Sequence, residues 1–89
     1  MFLIQKNTLL THEIEGDLVL YDPDYDVVHT LNVTSRFIWE RCDGDHTSAQ
    51  IATDLTDCYA VPLDVARRDV DNILNRLQDL DLIRQETPA

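Results

Sequence analysis

Five side chains in this 89-residue chain are of the types that ligate soft metals or serve as nucleophile and base: His12, His29, His46, Cys42 and Cys58. Zinc sites draw on closely spaced pairs such as C-x-x-C or H-x-x-x-H, which place two donors on one turn. Neither C-x-x-C nor H-x-x-x-H occurs among the five, so each reads as a strand, turn or core residue. Asp22, Asp24 and Asp26 alternate like the opening of a calcium loop, which then needs Gly at its sixth position and Glu at its twelfth. Those positions hold Val27 and Val33, so the stretch reads as a solvated acidic turn. There is no G-x-S-x-G and no Gly-rich phosphate loop, and Gly occurs only twice. Surface carboxylates are abundant, but abundance is not a paired acid and base. These readings point to binding rather than catalysis, with no metal and no cofactor.

Charge narrows what could be bound. Seven basic residues face 17 acidic ones, for a net charge of −10. Phosphate contacts need clustered Lys and Arg, so this balance opposes nucleic acid and anionic membrane surfaces. It suits a peptide, a protein or a cation. No apolar run approaches the ~20 residues of a membrane span. The N-terminal stretch has no basic region and no small-residue cleavage site, so the expectation is no signal peptide and a cytoplasmic location. In that compartment Cys42 and Cys58 are expected to be small apolar core residues, not a disulfide.

The elements that would position a binding site centre on residues 27–44. Val27, Val28, His29, Thr30 and Leu31 form a β-branched run, which predicts a short strand. Asn32 stands where a helix N-cap belongs, able to accept from the N–H of Thr34 or Ser35. The helix it opens carries Phe37, Ile38 and Trp39 inward, with Trp39 read as packing rather than as a ligand-stacking ring. Asp43-Gly44 is expected to stop it.

Upstream, residues 1–8 read as an arm or edge strand. Residues 9–15 alternate as a strand, Gly16-Asp17 punctuate, and residues 18–21 form a strand apolar on both faces. The Pro23-containing acidic turn joins it to Val27–Leu31 as an antiparallel hairpin. Downstream, Thr47 and Gln50 make a capping box for a second helix with Ile51, Ala52, Leu55, Cys58 and Tyr59 inward. Pro62 opens a third, with Ala66, Val70, Ile73, Leu74, Leu77 and Leu80 inward. Residues 84–89 read as a frayed polar tail. The fold class is α+β: a small antiparallel sheet of two to three strands, then three helices, in a winged helix-turn-helix arrangement.

At this level the chain resembles the PqqD family, the RiPP recognition elements that serve ribosomally made, post-translationally modified peptides. The resemblance rests on Leu31-Asn32-x-Thr34-Ser35-x-x-Ile38-Trp39, then Cys42-Asp43-Gly44, Thr47 with Ile51, Tyr59, Val61-Pro62, Asp69-Val70, Leu74, Leu77 and Leu82-Ile83. It covers residues 9–83. It implies a non-catalytic adaptor that binds the leader segment of a precursor peptide and presents it to a modifying enzyme, such as a radical S-adenosylmethionine enzyme, a cyclase or a protease. It also implies that the leader adds as a strand beside Val27–Leu31 and packs in a groove against the third helix. An exposed strand edge fits that role, because its free N–H and C=O groups can extend the sheet. The expected site is therefore Val27, Val28, His29, Thr30 and Leu31 on the strand, with Arg67, Val70, Asp71 and Leu74 on the helix. Leu74 would be the apolar anchor, and Arg67 would pair an acidic leader side chain. His29 departs from the aromatic or aliphatic residue expected there, which either removes the usual apolar pocket at that position or marks a local polar selectivity.

Two other functions use the same fold. A winged helix can read DNA with its third helix, but residues 62–81 carry three arginines against five aspartates. A scaffold or oligomerisation module could pair sheet edges between chains, and the chain is expected to be a monomer or a dimer.

Overall fold

The side chain of Asn32 accepts from the Ser35 N–H at 2.9 Å, and at that bond a strand becomes a helix. The computed structural model describes residues 2–86. Its elements run β1 (Phe2–Gln5), β2 (Leu10–Ile14), β3 (Asp17–Asp22), β4 (Val27–Leu31), α1 (Val33–Glu40), α2 (Ser48–Tyr59), α3 (Leu63–Asp79) and β5 (Ile83–Glu86). One antiparallel sheet has the order β2-β3-β4, and β1 and β5 pair as a second. This is the expected α+β winged helix-turn-helix arrangement, with one sheet more than the sequence suggested.

Local chemistry explains most boundaries. The β2–β3 turn is Glu15-Gly16, with φ of 52° and 90°. Both lie in the left-handed region that tight two-residue hairpins require. The turn after β3 is shaped by Asp22, whose carboxylate accepts from the Asp24 N–H at 3.0 Å. Thr47 and Gln50 close the expected capping box on α2. Ala60 ends that helix in the left-handed conformation, and Pro62 stands at the N-cap of α3 rather than within its first turn. Asp64 supplies the negative charge near the positive end of the helix dipole.

The core lies between the helices and one face of β3. Leu20, Ile38, Ile51, Val70, Leu77 and Leu82 are fully buried. Leu18 and Leu20 of β3 point into it, while Val19 and Tyr21 on the other face are half-buried. Trp39 is buried, in keeping with a packing role.

Several expectations are corrected. Residues 84–86 are not a frayed tail. They belong to β5, in register with β1 from Phe2↔Glu86 to Gln5↔Ile83, and residues 87–89 of the expected tail lie outside the described residues. Alternating backbone groups on β1 bond β5 and the 42–46 loop: Gln5 N–H donates to Cys42 O at 2.8 Å, and Gly44 N–H donates to Leu3 O at 2.8 Å. Gly44 does adopt φ 89°, but it serves this close approach of two chain segments. The helix itself ends earlier, at Glu40 with Arg41 as its cap. Cys58 is exposed, not core. Tyr59 is 47% exposed and meets Phe37 edge-on, with ring centroids 5.4 Å apart. Every residue of β2 is exposed, Leu10 and Ile14 included.

Candidate peptide groove

Strand β4 pairs with β3 along one edge, from Leu18↔Leu31 to Asp22↔Val27. Its other edge has no strand beside it among the described residues. Side chains on a strand alternate between faces. Leu31 is buried and His29 is half-buried, opposite the buried Leu18 and Leu20. Val28 and Thr30 are exposed on the outer face.

Helix α3 lies along the free edge in the reverse direction. Its C-terminal end is tied to the turn that starts β4, because Tyr25 Oη–H donates to Asp81 Oδ2 at 3.2 Å. Lys6 reinforces that tie, reaching Asp22 at 2.9 Å and Asp81 at 3.3 Å. Between strand and helix runs a groove of about 360 Å³. The wall on the β4 side is Val28, His29, Thr30 and Leu31, continued by Asn32. Ile73, Arg76, Leu77 and Leu80 form the α3 wall, and Asp17 and Ser35 complete the lining. Leu31 and Leu77 are the buried residues of this lining.

The groove joins the expected strand residues but not the expected helix residues. Val27, 39% exposed at the strand start, is not part of the lining. Val70 is wholly buried in the core. Leu74 and Asp71 line a separate cavity of about 300 Å³ with Leu3, Ser48 and Gln85, on the flank toward α2 and the β1–β5 sheet. Arg67 is further along that flank, with Ser48 and Ala49. The row Arg67-Asp71-Leu74-Gln78 thus belongs to the opposite edge of the helix. The edge that meets β4 is Ile73-Arg76-Leu80, one step around. A signal for it existed in the sequence. The apolar stripe on α3 is wider than a single core contact needs, and Ile73 and Leu80 are its overhang.

The polar residues of the groove are Asp17, His29, Thr30, Asn32, Ser35 and Arg76. His29 Nε2 is shielded from solvent and has no hydrogen-bond partner. Trp39 Nε1 and Thr56 Oγ1 are in the same condition, but neither residue lines the groove. The acidic turn, for which the sequence suggested no partner, is neutralised from the N-terminal arm. Lys6 touches Asp22, Asp24 and Asp81 within 3.3 Å and lies over the Tyr25 ring. These contacts, Asp22 foremost, hold the Lys6 ammonium above its ordinary pKa, and Lys6 in turn holds the Asp22 carboxyl below the usual carboxylate range.

Catalytic and metal chemistry find little to build on. Burial pushes the Cys42 thiol up to about 12, so it is a poor nucleophile. Among the described residues no three His, Cys, Asp or Glu side chains are grouped to hold a metal. No helix among them is long and apolar enough to cross a membrane.

A winged helix-turn-helix fold with a free strand edge beside its last helix defines a class of small binding domains. Residues 17–83 match the family model described as Coenzyme PQQ synthesis protein D (PqqD), and the chain belongs to that family. Curated protein sequences provide no match. Among solved structures, the fold is similar to TbiB1 in complex with the TbiA(beta) leader peptide, at 16% identity and a TM-score of 0.82, covering 96% of this chain and 99% of that one. It is also similar to a lasso peptide synthetase B1 complexed with its leader peptide, at 22% identity and a TM-score of 0.83, covering 96% and 100%. In the heterocyclase TruD a similar unit, 24% identical with a TM-score of 0.69, covers 98% of this chain and 12% of that chain.

Proposed function

We propose that this protein is a non-catalytic adaptor that binds the leader segment of a ribosomally made precursor peptide and delivers it to a modifying enzyme. The observation that carries the reading is the unpaired edge of β4 beside a groove walled by Ile73, Leu77 and Leu80. A leader strand laid on that edge gains main-chain hydrogen bonds from β4, and its alternate side chains enter the groove. Val28, His29, Thr30 and Leu31 receive the backbone; Ile73, Leu77 and Leu80 receive the apolar side chains. Membership of the PqqD family supports this reading, as do two similar folds solved with leader peptides. Tethering the precursor raises its effective concentration at the enzyme, so no chemistry is required of the adaptor. The modifying enzyme would be a radical S-adenosylmethionine enzyme, a cyclase or a protease, and the site of action the cytoplasm.

Duplex DNA is a poor ligand for this surface. The exposed face of α3 carries Asp64, Asp69, Asp71 and Asp79, on a chain of net charge −10, and the phosphate interaction is repulsive. Calorimetric titration with the leader of the precursor peptide encoded beside the gene, with duplex DNA as control, tests the reading. Saturable one-to-one binding of the peptide and none of DNA is the expected result. Retention on DNA with no peptide binding would reverse it.

A further inference from the structure

Polar and apolar residues alternate around the groove, and one of its polar atoms is buried without a partner among the described residues. His29 Nε2 is shielded from water and has no partner. Buried polar atoms are nearly always hydrogen-bonded, so an orphan on the wall of an open groove calls for a partner from outside the chain. Arg76 is exposed on the facing wall, and its guanidinium forms no ion pair among the described residues. Arg36 and Arg41, by contrast, are engaged, with Glu13 at 3.0 Å and Asp54 at 3.3 Å.

Both groups line the same groove. His29 approaches from the strand and Arg76 from the helix.

We infer that His29 and Arg76 together read a single carboxylate on the bound leader, so that the peptide carries Asp or Glu at one groove-facing position, flanked two residues away by apolar side chains. The inference rests on the groove being the leader site. The carboxylate accepts from the His29 Nε2–H and from the Arg76 guanidinium, which satisfies both. The flanking residues, at the strand period of two, pack on the apolar wall formed by Ile73, Leu77 and Leu80. Asp17 also lines the groove, and the whole chain is acidic. A second acidic residue is therefore repelled, and the preferred peptide is acidic at one point only.

A display library of random twelve-residue peptides tests this on the full chain. Selection is run in parallel on the native protein, on Arg76→Glu and on His29→Leu, with Leu80→Glu as a groove-blocked counter-selection and circular dichroism confirming that each variant is folded. Peptides recovered on the native protein are expected to favour Asp or Glu at one position by about tenfold or more, the scale of a charge-assisted hydrogen bond. On Arg76→Glu that position is expected to switch to Lys or Arg, and on His29→Leu the preference is expected to fall. A merely structural role for Arg76 would not reverse the sign of the selected residue. Groove-dependent binders with no acidic position, or with the same position on both charge variants, would overturn the carboxylate reading and leave the leader groove standing. Should no binder depend on Leu80, both readings fall together.

Discussion

The ammonium of Lys6 and the carboxylate of Asp22 meet at 2.9 Å inside the protein, with Lys6 8% exposed and Asp22 0%. The pair joins the N-terminal arm to the end of β3, and Asp81 beyond α3 shares the same ammonium at 3.3 Å. It thereby sets the separation of the turn that starts β4 from the end of α3, which is the width of one end of the groove. Replacing Lys6 with Met is expected to destabilise the fold, because Asp22 is left buried without its counter-charge. The double variant Lys6→Met, Asp22→Asn is expected to recover part of that loss. Urea unfolding of the three proteins checks this, and a double variant worse than the single one would count against it.

The same pair makes stability depend on pH. Lys6 holds the folded-state pKa of Asp22 below its unfolded value. Its contribution is present above about pH 4 and is lost as pH falls through the folded-state value. Asp43, held low by the His46 ring at 2.9 Å and the Asp45 N–H, acts in the same direction. Lys6 is shifted upward, so its contribution holds below about pH 10 and is lost only above. The native protein is therefore expected to lose stability between pH 5 and 3. Lys6→Met is expected to lose less over that range, since its unpaired Asp22 gains from protonation. Thermal melts of both proteins at pH 7, 5 and 3.5 give the comparison.

Two leucines on α3 separate folding from binding. Leu74 is 4% exposed and Leu80 37%. Leu74→Ala is expected to cost about 2–5 kcal/mol by opening a cavity. Leu80→Ala is expected to cost about 1 kcal/mol or less in stability, since much of the side chain is already in water. Leu80→Glu is expected to stay folded and to weaken leader binding by about tenfold or more, through loss of apolar contact. Chemical denaturation and calorimetry on the same samples resolve the two effects.

Ala60 holds φ 54° at the end of α2. A side chain is strained there, and glycine is not. Ala60→Gly is expected to raise stability by up to about 1 kcal/mol, offset in part by the greater freedom of glycine in the unfolded chain. A lowered denaturation midpoint would show that the joint between α2 and α3 is relaxed with alanine.

Local signals in the sequence were strong wherever the physics is local. Asn32 and Thr47 cap the helices they were expected to cap, since a cap needs only its own N–H groups three residues on. The buried positions Phe37, Ile38, Trp39, Ile51, Ala52, Leu55, Ala66, Val70, Leu74 and Leu77 follow from helical period. The β3–β4 hairpin and the strand-to-helix joint at Asn32 were legible for the same reason.

Relations between distant segments were not legible in this way. Residues 84–86 are polar and short, with no intrinsic tendency strong enough to mark a strand. They become one because Phe2–Gln5 offers them an edge from the other end of the chain. Nothing local in the sequence singles Lys6 out among seven basic residues, and only the fold brings three aspartates around it. The sequence signalled a wide apolar stripe on α3 but not which edge of it meets β4. Period alone fixes which residues of α3 share a face, but rotation about the helix axis is set by packing against α1, α2 and β5. That packing turned Arg67, Asp71 and Leu74 away from the strand and brought Ile73, Arg76 and Leu80 to it. The amino-acid sequence by itself determined the three helices, the strands β2 to β4, the N-caps of α1 and α2, and the family. Tertiary structure decided which side chains share the groove, because that depends on contacts between segments that no local pattern encodes.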